Sequence, residues 1–390
     1  MSKTRVGVLF GGRSGEHEVS LLSAASVIKA IDPQKYEVVP IGITKEGRWV
    51  SAREAEKLLR GETASSGHLR AGDPQSTPSA AVLAKGEAVI MPPSPESHGL
   101  MPLEGARGNN GQAIEVDVIF PVLHGTFGED GTIQGLLELA DLPYVGAGVL
   151  GSSAGMDKDV MKKLFAAAGL PIVKHVSVLR PRWEKEQKKV LKEIESKLKY
   201  PVFVKPANLG SSVGISKAHD KKELPTAMDE AARYDRKIVI EQGVGGKKRK
   251  ARELECAVLG NDSPQASIVG EIVPAAEFYD YNAKYVDEGS KLLIPAPIGK
   301  KLGKQVQDMA VRAFQSVDCS GLARVDFLMD PDSERIYLNE INTMPGFTSI
   351  SMYPKLWAAT GIEYSELISR LIELGMERYK EKKKNRYSKN

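Results

Sequence analysis

A strand that runs into paired glycines and then into a helix opens the chain, and this succession constrains the fold more than any other feature. The run Arg5-Val6-Gly7-Val8-Leu9-Phe10 reads as a strand. Gly11-Gly12 ends it, and Val19-Ser20-Leu21-Leu22 begins a helical stretch reaching about Ala30. Tyr36 to Thr44 is a second strand candidate, and Val116 to Leu123 is another, of the buried type. Strands alternating with helices predict a mostly parallel α/β sheet over residues 1–152. Between the strands, about residues 52–112, proline-rich runs such as Met91-Pro92-Pro93-Ser94-Pro95 mark an insertion with helix and strand fragments between them.

A second unit, 153–245, carries a helix over Met156 to Ala168, a strand over Pro171 to Val178, and an amphipathic helix over Glu184 to Tyr200. Val190, Leu191, Ile194 and Leu198 set the helical spacing. Short strands follow at Pro201 to Val204 and Ile238 to Glu241. A third unit, 246–378, starts strand-rich, has helices near 304–317 and 363–376, and holds the acidic strand Tyr337 to Asn342.

Composition excludes several classes. The net charge is +4, but Arg378 to Asn390 alone holds seven Lys/Arg against one Glu, so the rest of the chain is net −2. The body is therefore not a cationic nucleic-acid surface, and the basic tail 379–390 reads as a solvated charge run. No apolar run approaches the roughly 20 residues that span a bilayer. The start carries no signal-peptide pattern. The two cysteines, Cys256 and Cys319, match no metal spacing and imply no disulfide framework, so a reducing cytoplasm is the default.

Three clusters carry chemistry. Lys205 ends a strand, and Asn208-Leu209-Gly210-Ser211-Ser212-Val213-Gly214 follows. Small residues there can turn backbone N–H groups onto phosphate oxygens; a plain hairpin turn is the alternative, and no Walker A ending is present. Arg324 and Asp326 share one face of a strand by period two, as do Glu340 and Asn342 on another. Two carboxylates and an amide oxygen make a hard-oxygen site suited to Mg²⁺ held with substrate phosphates, unless the face is simply solvated. At Gly11-Gly12-Arg13-Ser14-Gly15-Glu16-His17-Glu18, acids beside a strand–helix turn suit an ammonium group, or cap the helix. His124 follows a buried strand into a glycine-rich loop, which points to a site role.

Taken in order, these segments resemble the D-alanine–D-alanine ligase family of the ATP-grasp superfamily. The matching pieces are Gly11-Gly12-x-Ser14-x-Glu16-His17-Glu18-Val19-Ser20, His124-Gly125-x-x-Gly128-Glu129-Asp130-Gly131, Met156-Asp157-Lys158, and Lys205-Pro206 with Gly210 to Gly214. Phe278-Tyr279-Asp280-Tyr281-x-x-Lys284-Tyr285, Arg324-Val325-Asp326, and Asn339 to Thr348 complete the set. The resemblance implies three α/β domains, the first with a Rossmann-like parallel sheet, and ATP gripped between the last two. It implies that Lys158, Lys205 and Ser212 meet the nucleotide phosphates, Glu241 marks the adenine hinge and Glu253 the ribose. A lid loop, 277–290, would bring Lys284 to the γ-phosphate. Asp326, Glu340 and Asn342 would hold two Mg²⁺, replaceable by Mn²⁺. Glu16 would hold the first D-alanine's ammonium with His124 nearby, and Ser351 and Met352 the second D-alanine. Ser211 and Tyr285 would hydrogen-bond to Glu16. Arg324 and the Gly346 N–H would form an oxyanion hole.

The implied activity is ATP-dependent joining of two D-alanine molecules through an acyl phosphate, for peptidoglycan precursor synthesis, by a cytoplasmic homodimer. Three alternatives stay open: another ATP-grasp carboxylate–amine ligase, a D-alanine–D-lactate ligase, and a non-enzymatic ATP-binding regulator. The Glu16 and Lys284-Tyr285 clusters weigh against another ligase, and the Mg²⁺ set with Arg324 against a regulator.

Overall fold

The computed structural model describes residues 2–51, 78–97, 99–103, 113–245, 250–274, 291–348 and 350–387. The first unit contains β1 (Thr4–Gly11), α1 (His17–Ala30), β2 (Tyr36–Ile43), β3 (Trp49–Ser51), α2 (Pro78–Lys85) and β4 (Glu87–Ile90). It continues with β5 (Gly99–Pro102), β6 (Ile114–Glu115), β7 (Val118–Pro121) and α3 (Thr132–Leu139). The sheet runs β6-β5-β4-β3-β2-β1-β7. Strand β1 is covered on both faces because its residues alternate between two cores. Val6, Val8 and Phe10 enter one with Leu21 and Val27 of α1, while Leu9 enters another with Ile41 and Ile119.

The sheet departs from the parallel one expected. Strand β1 is parallel to β2 and β7, but β2–β3, β3–β4, β4–β5 and β5–β6 are antiparallel. Connections such as Thr44 to Arg48 are too short for the crossover a parallel neighbour requires. Part of the region read as an insertion thus extends the sheet.

Two short helices link this unit to the next. Helix α4 (Val149–Met156) stops and α5 (Lys158–Ala167) starts at Asp157, which is extended (φ −77°, ψ 102°) and whose Oδ1 accepts from the N–H groups of Asp159 and Val160. The helix expected over 156–168 is α5, which starts at Lys158 because Asp157 caps it. The central unit follows with β8 (His175–Leu179), α6 (Arg180–Lys197), β9 (Val202–Pro206), β10 (Ser216–Ala218), α7 (Leu224–Tyr234) and β11 (Lys237–Gln242). Its antiparallel sheet runs β10-β9-β11-β8, and Trp183, Val190, Ile194 and Met228 cover one face.

The last unit comprises β12 (Arg252–Gly260), β13 (Gln265–Val273), β14 (Lys291–Leu293), α8 (Lys300–Ser316), β15 (Gly321–Met329), β16 (Ile336–Asn342), α9 (Met352–Thr360) and α10 (Tyr364–Lys382). Its antiparallel sheet runs β14-β13-β12-β15-β16. Val306 and Met309 of α8 pack on one face together with Met161 and Phe165 of α5, so α5 lies against this sheet as well. Helix α10 carries the start of the basic tail with it. Lys382 pairs with Glu138, Lys383 with Asp141 (2.7 Å), and the Arg378 guanidinium lies 4.2 Å from the Tyr144 ring centroid. Those cations dock on the first unit and are not simply solvated. No helix among the described residues is long and apolar enough to cross a membrane.

Candidate active site

The turn after β1 places the first acid. Gly11 has φ +89°, and a Cβ there would lie 2.2 Å from the Ile43 carbonyl oxygen, so a side chain is excluded at this point. The Gly11 N–H donates to Ser20 Oγ (2.8 Å), and Ser20 Oγ donates to the Val122 carbonyl (2.5 Å), which ties the ends of β1 and β7 together. Glu16 is the N-cap residue of α1, yet its side chain makes no capping bond. It accepts from Ser211 Oγ of the central unit instead. Glu18 turns away to Lys45. Of the two acids expected at an ammonium site, only Glu16 faces the cleft.

That cleft, about 1070 Å³ with its open solvent, lies where the three units meet. From the expected set it is lined by Glu16, Lys158, Ser211, Ser212, Arg324, Glu340, Asn342, Gly346, Ser351 and Met352. Ser211 and Ser212 adopt left-handed conformations (φ +47° and +60°), which turn the glycine–serine loop toward Glu16. Lys158 Nζ donates to the Leu209 carbonyl of this loop (2.8 Å) and lies 3.8 Å from Glu340. Ser351 Oγ accepts from the Thr348 N–H (3.1 Å) at the start of α9.

The acidic strands meet in register. Asp326 pairs with Glu340 and Arg324 with Asn342 across β15 and β16, as the period-two reading requires. Arg324 folds back on Asp326 through two bonds of 2.7 Å and lies 3.1 Å from Glu255 of β12. Asp326 accordingly does not line the cleft; its guanidinium partner does. Asn342 Oδ1 accepts from the Met344 N–H (3.1 Å).

Lys205 and Glu241 are both buried, and Lys205 Nζ donates to Glu241 Oε2 (2.8 Å). Neither lines the cleft, nor does Glu253. Burial alone would raise the Glu241 carboxyl, but the ammoniums of Lys162 and Lys205 hold it at about 2. Burial opposes the Lys205 charge too, yet Glu241, then Glu340 and Glu253, keep it above the ordinary lysine value.

His124 is buried and stands behind the cleft. Its Nδ1 bonds the Met344 carbonyl (3.0 Å), so Nδ1 carries the proton, and Nε2 accepts from Ser23 Oγ (2.9 Å). Ser23 Oγ in turn accepts from the Phe347 N–H (3.3 Å). Burial pushes the imidazole below its usual value, consistent with this neutral form. Lys284 and Tyr285, with the expected lid 277–290, lie outside the described residues.

Two cleft residues and one buried cation outside the cleft are given no role by the sequence. Glu129 lines the cleft, accepts from the Gly125 N–H (2.7 Å), and is pushed up to about 8 by burial and by the charge of Glu16. Glu255 follows Glu253 by two residues on β12, so strand alternation could have found it. Lys162 follows Lys158 by four on α5, hence on the same helical side.

Two antiparallel sheets that grip a cleft lined by Lys158 and by acids of β12 and β16 define an ATP-grasp protein. Family models described as the N-terminus and the C-terminus of D-ala D-ala ligase match residues 5–147 and 164–373. The chain belongs to the D-alanine–D-alanine ligase family. It is 51% identical over 386 residues to the D-alanine–D-alanine ligase of Heliobacterium modesticaldum, covering 99% of this chain and 98% of the relative. It is 48% identical to that of Bacillus cytotoxicus, with 100% of both chains covered. Among solved structures, the D-alanine–D-alanine ligase from Coxiella burnetii superposes with a TM-score of 0.78 at 34% identity, covering 98% of each chain. The VanG D-Ala:D-Ser ligase from Enterococcus faecalis gives 0.80 at 36% identity, covering 96% of this chain and 100% of the other.

Proposed function

We propose that this chain joins two D-alanine molecules at the expense of ATP. The observation that carries the reading is that one cleft brings Glu16, bonded to Ser211, together with Lys158, Arg324, Glu340 and Asn342. A carboxylate is a poor electrophile, so an oxygen must become a leaving group before an amine can attack. In the proposed sequence the γ-phosphoryl of ATP moves to the carboxylate of the first D-alanine, giving an acyl phosphate and ADP. The amine of the second D-alanine, after losing a proton, attacks that carbonyl, and the tetrahedral intermediate collapses with loss of phosphate. The protein's part is to position the reactants and offset charge.

Each residue has a proposed share. Glu16 fixes the first ammonium, and Ser211 fixes Glu16. Lys158, Ser212 and Lys205 hold phosphate oxygens, Glu241 the adenine and Glu253 the ribose. Arg324 and the Gly346 N–H face the developing oxyanion, where loss of one donor typically costs about 10²–10³ in rate. Ser351 and Met352 receive the second D-alanine. His124 is a positioning residue that holds the Met344–Phe347 backbone against α1. Asp326, Glu340 and Asn342 are oxygen donors brought into register on adjacent strands beside cationic side chains, a donor set that fits Mg²⁺ shared with phosphates. When bound there, Mg²⁺ would neutralise negative charge on the phosphates. The buried thiols Cys256 and Cys319 suit a reducing cytoplasm, and a homodimer is the proposed assembly.

The test is phosphate release from ATP with and without D-alanine, and with D-lactate or D-serine as competitor. The expected result is release that depends on D-alanine, with D-alanyl-D-alanine as main product even when D-lactate is present. Release without any amino acid, or a predominant depsipeptide, would refute the assignment.

A further inference from the structure

Among the buried charges, one cation has no direct task in the proposed chemistry. Lys162 of α5 is fully buried and does not line the cleft. Its Nζ donates to the Asn339 carbonyl (3.1 Å), beside Glu340, and lies 2.9 Å from Glu241 Oε1. The other Glu241 oxygen takes Lys205 at 2.8 Å. One carboxylate from β11 is thus shared by two ammoniums, one from α5 and one from β9. The two cations differ in freedom. Lys162 is anchored at a second point, the carbonyl on β16, whereas among the described residues the Lys205 ammonium donates a hydrogen bond to Glu241 alone.

We propose that Lys162 is a positioning residue for nucleotide binding, keeping Glu241 paired when Lys205 turns from Glu241 to a phosphate. The inference rests on the nucleotide role proposed for Lys205. In the structure Lys205 faces Glu241 and not the cleft, so contact with a phosphate requires that it leave its partner. With Lys205 as sole partner, its departure would strand a buried carboxylate, among the costliest states in a protein interior. With Lys162 in place, departure breaks one of two pairings and the carboxylate stays compensated. The shared geometry makes Lys205 releasable. It also explains a cation with no exposure, which could not itself reach a ligand.

The experiment is calorimetric titration of the full-length protein with ATP and Mg²⁺ in the absence of D-alanine, so that binding is read without turnover. Wild type is compared with Lys162→Met, Lys162→Gln and Lys162→Arg, each also in a Glu241→Gln background. Lys162→Met should weaken ATP binding about tenfold, equivalent to about 1.4 kcal/mol. KM for ATP should rise in step, while kcat at saturating ATP and KM for D-alanine stay within about threefold. Lys162→Gln, which keeps a donor for Asn339 but no charge, should match Lys162→Met, and Lys162→Arg should recover much of the affinity. Where Glu241 is already Gln, no carboxylate remains to strand, and Lys162→Met should change binding less than twofold. Wild-type ATP affinity in Lys162→Met and Lys162→Gln would overturn the proposal. So would an equal loss in both backgrounds, which is what a purely structural role gives. If Lys162→Met does not fold, the Gln and Arg variants decide the matter. Wild-type protein that does not bind ATP would instead sink the functional reading itself.

Discussion

Ser211 donates its hydroxyl hydrogen to Glu16, which closes the glycine–serine loop of the central unit onto the first helix of the chain. Glycines flank the carboxylate on two sides. A Cβ on Gly125 would lie 2.5 Å from Glu16 Oε2, and one on Gly210 would lie 2.6 Å from it. The position of this carboxylate is therefore fixed by one hydrogen bond and by two absent side chains.

Ser211→Ala should lower kcat/KM for D-alanine about 10–100-fold, since a hydrogen bond to a charged group is worth about 1.5–3 kcal/mol. The fold should be unaffected. Steady-state ADP formation checks this, and a rate within twofold of wild type would mean that the bond positions nothing.

Gly210→Ala tests the same carboxylate by crowding it. The added methyl must displace Glu16 or the loop, so KM for D-alanine should rise by about tenfold or more, with a stability loss of about 1–3 kcal/mol at most. A variant with unchanged KM would show that Glu16 does not meet the amino acid.

Glu129 should make stability fall as pH rises. Its folded value, about 8, lies above the ordinary 4.5, so the folded state binds the proton more tightly than the unfolded chain does. The contribution is complete below about 4.5 and is lost as pH rises through about 8. Glu129→Gln should flatten the decline across that window. It should also make the ligand-free protein more stable than wild type above pH 8, by an amount on the order of 1 kcal/mol. Thermal unfolding from pH 5 to 9 measures this; parallel wild-type and variant curves would contradict it.

Asp326→Asn and Glu340→Gln should each remove at least about 10²-fold of activity at limiting Mg²⁺ while leaving circular dichroism unchanged. In Asp326→Asn the Arg324 guanidinium also loses its charged partner. A Mg²⁺ titration of ADP formation decides the point, and wild-type activity in either variant would sink the metal assignment.

Much of this arrangement can be read along the chain. The strands at 5–10 and 337–342 announce themselves by apolar runs and by alternation, and alternation alone puts Glu340 and Asn342 on one face. What escapes is whatever depends on pairing. Strands β3 to β6 are two to four residues long and exist only because each has a neighbour to bond. Asp326 reads as an open ligand, but the structure lays Arg324 across it. His124 reads as a site residue because of its loop, yet partners 101 and 220 residues away occupy both ring nitrogens. The periodic signals for Lys162 and Glu255 are present, but spacing does not tell a buried charge pair from a solvated one.

The core that seals the first sheet also has an implication for synthesis on the ribosome. Val8 and Phe10 of β1 and Phe120 of β7 share one apolar cluster with Leu367, Ile368 and Leu371 of α10. Domains commonly fold in the order in which they emerge. Here the sheet of the first unit lacks part of its cover until α10 has been translated. A nascent chain halted before Tyr364 should present that sheet face to chaperones and proteases, and should become resistant only when α10 is supplied. Strand β1 is enclosed only after α10 has emerged, and a stop codon within the α10 codons would damage that strand as much as the helix itself.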